Sequence, residues 1–194
     1  MKNKKRSLFR NPFFCFYTLL SKTFSPVNKK SLSLKKNAMR HQVLLSKFSF
    51  ISTILCIIVL IGLMFINQPP VYIKLFIVAL LIGMLAAGLF YMPLSIGADK
   101  DGIYINRSLK CKILPMENIK SIRLCPPTMG AKRICASGGF LGYWGWFSER
   151  DLGKYFAYYG RSKDCFLVEL HDGRKYMLGC SNPQEIVKYI KSQL

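Results

Sequence analysis

The chain has 194 residues, 29 Lys and Arg against 9 Asp and Glu, a formal charge of +20, and 51% hydrophobic residues. Disorder of the whole chain is excluded, because it requires low hydrophobicity beside high charge, and mean hydropathy here is positive. The two extremes are separated along the chain. Residues 1–47 carry 12 basic residues and no acid, residues 48–98 carry only Lys74, and residues 99–194 carry 16 basic and 9 acidic residues. A basic tail, an apolar block and a mixed-charge domain is the layout of a small membrane protein.

The tail, residues 1–47, mixes Lys, Ser, Asn, Leu and Phe without a period. Its aromatic run FFCFYTLL, residues 13–20, is too short to span a bilayer. Two readings stay open. The tail is a basic arm lying on anionic lipid headgroups, or residues 1–38 lie upstream of a start at Met39. Nucleic acid is not expected as a partner, because the arm is tethered beside a bilayer.

Two apolar segments follow. Residues 48–66, FSFISTILCIIVLIGLMFI, contain no charge and would extend about 28 Å as a helix, close to the hydrocarbon thickness of a membrane. Residues 73–92, IKLFIVALLIGMLAAGLFYM, hold only Lys74, near one end. Asn67-Gln68-Pro69-Pro70 breaks the helix between them. Two antiparallel spans are expected. Basic residues flank the outer ends of the pair, so both chain termini are expected in the cytoplasm. Ala79, Gly83 and Ala87 form a small-residue face suited to close helix packing. Its partner is the first span, through Ser52 and Cys56, or a second copy of the chain.

Residues 94–194 read as short strands closed by one helix. Runs 94–98, 103–107, 111–115, 121–125, 154–159, 165–170 and 174–179 are separated by turn sequences, including Asp101-Gly102 and His171-Asp172-Gly173. The last residues predict a helix, with Asn182 as cap, Pro183 at the first position and Glu185 in the first turn. Ile186, Val187, Ile190 and Leu194 make its apolar face.

This segment resembles the bacterial pleckstrin-homology (PH)-like domains that follow one or two membrane spans. The resemblance rests on the Asp-Gly hairpin at 101–102, ILPMENIKSI (113–122), SGGFLGYWGWF (137–147), LGKYFAYYG (152–160), the hairpin at 172–173 and SNPQEIVKYI (181–190). It implies a PH-like barrel or sandwich of about seven strands with a C-terminal helix, at a bacterial inner membrane. Phosphoinositide binding is not carried over, because the first hairpin holds Asp99 and Asp101 where such sites cluster basic residues.

No catalytic, cofactor or metal site is readable. Phosphate-loop, nucleophile-elbow and zinc-protease patterns are absent from the sequence. The seven cysteines are odd in number and contain no C-x-x-C, so free structural thiols are expected. The expected function is a membrane-anchored cytoplasmic adaptor that binds a protein partner, its own copies or the lipid interface. The alternative is an accessory subunit of a transport or envelope complex, whose spans carry the contact. The interface candidates are Phe140, Tyr143, Trp144, Trp146 and Phe147, with Arg150 and Lys154 placed to meet lipid phosphates. Against this stands the reading in which alternate rings fill the core while the glycines relieve crowding.

Overall fold

A computed structural model describes residues 39–66, 69–128 and 130–194. The expectations for residues 1–38 and for Asn67-Gln68 lie outside these. The chain begins with strand β1 (Met39–Gln42), followed by helices α1 (Lys47–Leu63) and α2 (Val71–Tyr91). Strands β2 (Pro93–Asp99), β3 (Gly102–Arg107), β4 (Cys111–Pro115) and β5 (Ile119–Leu124) come next. They are followed by β6 (Lys132–Gly139), β7 (Gly142–Glu149), β8 (Gly153–Tyr159), β9 (Cys165–Leu170) and β10 (Lys175–Gly179). Helix α3 (Pro183–Lys191) ends the fold.

The strands form a four-stranded sheet, β1-β2-β3-β4, and a six-stranded sheet, β5-β9-β10-β8-β7-β6, in which β10 and β8 run parallel. Strand alternation sends Ile96, Ile103 and Ile105 of the first sheet toward Phe166, Val168 and Leu178 of the second. Ile186, Val187 and Ile190 of α3 complete this core at the spacing of one helical face. The opposite face of the six-stranded sheet carries a second cluster around Tyr155, Leu167 and Met177. Residues of the β5–β6 connection, Cys125 and Ala131, pack on it. Glu149, buried there, accepts hydrogen bonds from Tyr155 Oη at 2.5 Å and Thr128 Oγ1 at 2.9 Å, which holds the connection down.

The mainly-β domain with a C-terminal helix is as expected, and all seven expected strands are present. Three strands are additional. β6 and β7 are built from the Gly-rich aromatic segment and the residues before it, where glycines hide the period of two. β1 comes from residues assigned above to the basic tail, and it corrects that boundary. Its four residues pair antiparallel with β2, Met39 opposite Ala98 and Gln42 opposite Ser95. Val43, 1% exposed, then enters the main core. The first sheet therefore includes a strand from before the helices. The Asn182 side chain does not cap α3; its amide donates to Glu185 Oε2 at 2.7 Å instead.

Because β1 leads into α1, α2 leads into β2, and β1 pairs with β2, the helices are antiparallel with their outer ends at one edge of the β-domain. Among the described residues, one helix, Val71–Tyr91, is long and apolar enough to cross a membrane; Lys47–Leu63 is apolar but shorter. Both leave large apolar side chains exposed, among them Ile51, Ile58, Phe76 and Ile82. The covered positions on α2 are 74, 77, 81, 84 and 87–91, a stripe that widens toward the end of the helix next to β2. Ala79 and Gly83 lie on the other side of the helix and are exposed. A Cβ at Gly83 would meet nothing within 4 Å. Two of the three small residues thus stay uncovered, while the third, Ala87, is partly covered.

Candidate functional site

The apolar sequence of α1 is interrupted by Ser49 and Thr53, four residues apart and so one above the other on the same helical face. Both are buried. A buried hydroxyl needs a partner, and these two find theirs in the turn between β6 and β7. Ser49 Oγ donates to Gly139 O at 2.5 Å and accepts from Gly142 N at 2.8 Å. Thr53 Oγ1 accepts from Leu141 N at 2.9 Å and donates to Ser49 O at 2.7 Å. Two side chains of α1 thereby satisfy three backbone groups of one hairpin turn.

The turn is shaped for this contact. Gly139 and Gly142 have φ of 139° and 105°, which their lack of a Cβ permits. Leu141, at φ 52°, is the one non-glycine residue with positive φ among those described. Left-handed backbone costs a branched side chain about 1–2 kcal/mol. Leu141 is held there by the Thr53 bond and by α2, where Gly88 leaves room; a Cβ at Gly88 would collide with Leu141 Cδ1. Trp144 fastens the same hairpin to the end of α2. It stacks on Tyr91 with centroids 5.3 Å apart and donates from Nε1 to Phe140 O at 3.2 Å. The linker before α1 is also pinned, by Ser46 N to Gly160 O at 3.0 Å and Arg161 Nε to Leu45 O at 3.3 Å.

The rings singled out in the sequence divide between the two faces of β7, as strand alternation requires. Tyr143 and Phe147 stack on Tyr159 and Tyr155 with centroids 4.9 and 6.0 Å apart, and Phe147 is 3% exposed. These two are core. Trp144 joins the helix junction, and Trp146, 41% exposed, meets the edge of Phe156 at 5.1 Å. Gly145 relieves crowding, since a Cβ there would strike Cys135 O beside the β6 bulge between Arg133 and Cys135. Phe140 lies half-buried in the turn.

Arg150 and Lys154 do not join these residues. β7 runs away from the helices, pairing Tyr143 with Tyr159 near them and Glu149 with Gly153 at the far end. At about 3.3 Å per residue this carries the β7–β8 turn roughly 23 Å from the hairpin tip. The cations at the helix end are others. β2 leaves α2 at Pro93, β3 returns to set Arg107 opposite it, and the β3–β4 turn closes with Arg107 N donating to Lys110 O at 3.0 Å. Sequence reading missed Ser49 and Thr53 as a pair, although a Ser-x-x-x-Thr step within an apolar helix is a visible signal. Arg107 and Lys110 were read only as flanking charges.

A family model for the bacterial PH domain matches residues 94–194. The chain belongs to the bacterial PH domain family. No curated protein and no solved structure matches it significantly. In this PH domain the turn that the matched segment presents to the helices holds the positive-φ Leu141, and three of its backbone groups find partners outside the matched residues.

The thiols divide by burial. Cys165 and Cys180 are buried, and desolvation pushes both thiols up, Cys180 to about 12, while Cys111 and Cys135 are exposed. Tyr155 and Tyr159 are likewise raised by burial.

Proposed function

We propose that this chain is a membrane-anchored adaptor. In this reading α1, extended by residues 64–66, and α2 cross a bacterial inner membrane as an antiparallel pair. The PH domain is held against the cytoplasmic face, where it binds a protein partner or a second copy of the chain. The observation that carries the reading is the junction. Apolar helices with exposed apolar flanks are bolted by Ser49, Thr53, Gly88 and Tyr91 to the β6–β7 hairpin, which fixes the domain at the helix ends rather than leaving it on a tether. Basic residues at those ends support the cytoplasmic side.

The test has two parts. The full chain should stay in the membrane pellet after alkaline extraction, and a reporter active only outside the cell, fused after Leu194, should be silent. Release by alkali would end the anchoring reading; reporter activity would reverse the topology. A second reading, an accessory subunit whose spans carry the contact, is favoured by the exposed Ala79 and Gly83 face. Replacing both helices beyond Thr53 and before Gly88 by an unrelated apolar pair distinguishes the two. Cross-linking to the native partner survives the exchange for an adaptor and disappears for a subunit.

A further inference from the structure

We infer that the β3–β4 turn, at the C-terminal end of α2, is a binding site for the phosphate of an anionic lipid headgroup, held by Arg107 and Lys110. The inference rests on the anchored reading above and names a ligand at the membrane-facing end. Arg107 and Lys110 converge on one ring. The Arg107 guanidinium carbon and Lys110 Nζ each lie 5.5 Å from the centroid of Phe90, in the last turn of α2. Among the described residues neither cation is paired with a carboxylate. Residues 1–47, which include the undescribed tail, contain no acid that could supply one.

Two like charges gathered on one ring repel each other unless an anion lies between or beside them. The carbonyl end of α2 offers only about half a negative charge. Among the described residues the pair therefore keeps a net positive charge. Arg107 is held from one side, where Nη1 reaches Tyr158 Oη at 3.4 Å and Nε is buried, without a hydrogen-bond partner among the described residues. The guanidinium lies 5.7 Å from the Tyr158 centroid as well, so rings on two sides hold it in place.

The position selects the ligand. Arg107 pairs with Pro93, two residues beyond the end of α2, and therefore sits at the headgroup level if α2 spans the bilayer. Leu109, half exposed between the two cations, offers an aliphatic contact at the same level. The acids of the β2–β3 turn, Asp99 and Asp101, are at the opposite end of β3. A phosphodiester carrying one negative charge, bound between a guanidinium and an ammonium, matches this chemistry.

The experiment uses the purified full chain in uncharged maltoside micelles. Its melting temperature is followed during titration with short-chain phosphatidylglycerol, short-chain phosphatidylcholine or inorganic phosphate. Phosphatidylglycerol should raise the melting temperature saturably, and the other two should not. Each lost cation should weaken the apparent affinity about fivefold, so R107Q/K110Q should weaken it roughly 25-fold. K110Q alone, in an exposed turn, provides the same reading if the double variant folds poorly. R150Q/K154Q, at the far end of β7, should match the parent. The tail is common to every variant, so its attraction for anionic lipid does not enter the differences. Undiminished phosphatidylglycerol binding by K110Q and the double variant would overturn the site. An equal shift with phosphatidylcholine would overturn the charge argument, and an equal shift with inorganic phosphate would overturn the lipid as source. A chain released by alkaline extraction fails the anchored reading itself, whereas an extraction-resistant chain without the lipid effect fails only this inference.

Discussion

The β2–β3 and β6–β7 turns lie at opposite ends of the β-domain and are held by opposite means. The bonds described at the first come from residues near it in the β2–β4 meander. Lys100 N donates to Asp99 Oδ1 at 2.7 Å, Gly102 takes the positive φ, and Met116 N, just past the end of β4, donates to Asp101 O at 2.9 Å. The second adds distant partners to the local bonds that Ser137 and Trp144 make to Phe140 O. Gly139 O, Leu141 N and Gly142 N depend on Ser49 and Thr53, roughly ninety residues earlier. A self-sufficient turn can face water and change sequence at small cost. A borrowed turn links two parts of the chain, so a disturbance in either reaches the other.

The strongest way to break this contrast is to remove the lender. A chain beginning at Leu94 keeps the β2–β3 turn whole but strips the β6–β7 turn of its partners, along with β1 and the buried Val43. It should still show strand-dominated circular dichroism and a cooperative melt, since about 100 residues can form one core. Its stability should fall by several kcal/mol relative to a chain retaining residues 39–93. Hydrogen exchange locates the loss: the amides of Leu141 and Gly142 should exchange freely, while that of Met116 stays protected. Equal protection of both turns would show that the hairpin does not need α1.

The same contrast sharpens at single residues. Ser49→Ala leaves Gly142 N without its partner and weakens the satisfaction of Gly139 O. At roughly 1–3 kcal/mol for each buried group left unpaired, the expected loss is about 3 kcal/mol. Thr53→Val preserves shape and strands only Leu141 N, so about 1–2 kcal/mol is expected. Chemical melts of the full chain in micelles measure both. A Ser49→Ala loss under about 0.5 kcal/mol would mean that water reaches the turn.

These two turns also show what the sequence could and could not disclose. Asp101-Gly102 was legible because its stabilising bonds are local and glycine serves the backbone there directly. The seven strands with a clear period, the α3 face and the apolar helices were legible for the same reason. The β6–β7 hairpin was not, because its glycines erase the alternation and its partners are encoded far upstream. β1 has only four residues, and nothing before the pairing with β2 marks it as a strand. Arg150 and Lys154 were misplaced because nearness in sequence to the aromatic run ignored the direction of β7.

A smaller effect comes from the buried thiols, which no turn controls. Cys180 is raised by burial from 9.0 to about 12. The folded state thus holds its proton more tightly than the unfolded state does. Its contribution is complete below pH 9 and is lost as pH rises from about 9 to about 12. Cys180→Ala should flatten the fall in stability across that window. At pH 8 Cys111 and Cys135 should alkylate in the folded chain while Cys165 and Cys180 do not, as peptide mass mapping would read. Rapid alkylation of Cys180 would place it in a more open site.

The smallest effect is expected at the self-sufficient turn. Asp99→Ala removes the carboxylate that accepts from Lys100 N, a group exposed enough for water to take its place. The chain reversal itself stays with Gly102 and with the β2–β3 pairing, Ala98 opposite Ile103 and Asp99 opposite Gly102, neither of which needs the Asp99 side chain. A loss of about 0.5 kcal/mol is expected, several-fold less than for Ser49→Ala although each variant removes one side chain beside one turn. The comparison is read from paired melts of the two variants under one condition. If Asp99→Ala costs as much as Ser49→Ala, the asymmetry between the two ends is wrong, because the β2–β3 turn would then depend on more than its own backbone and glycine.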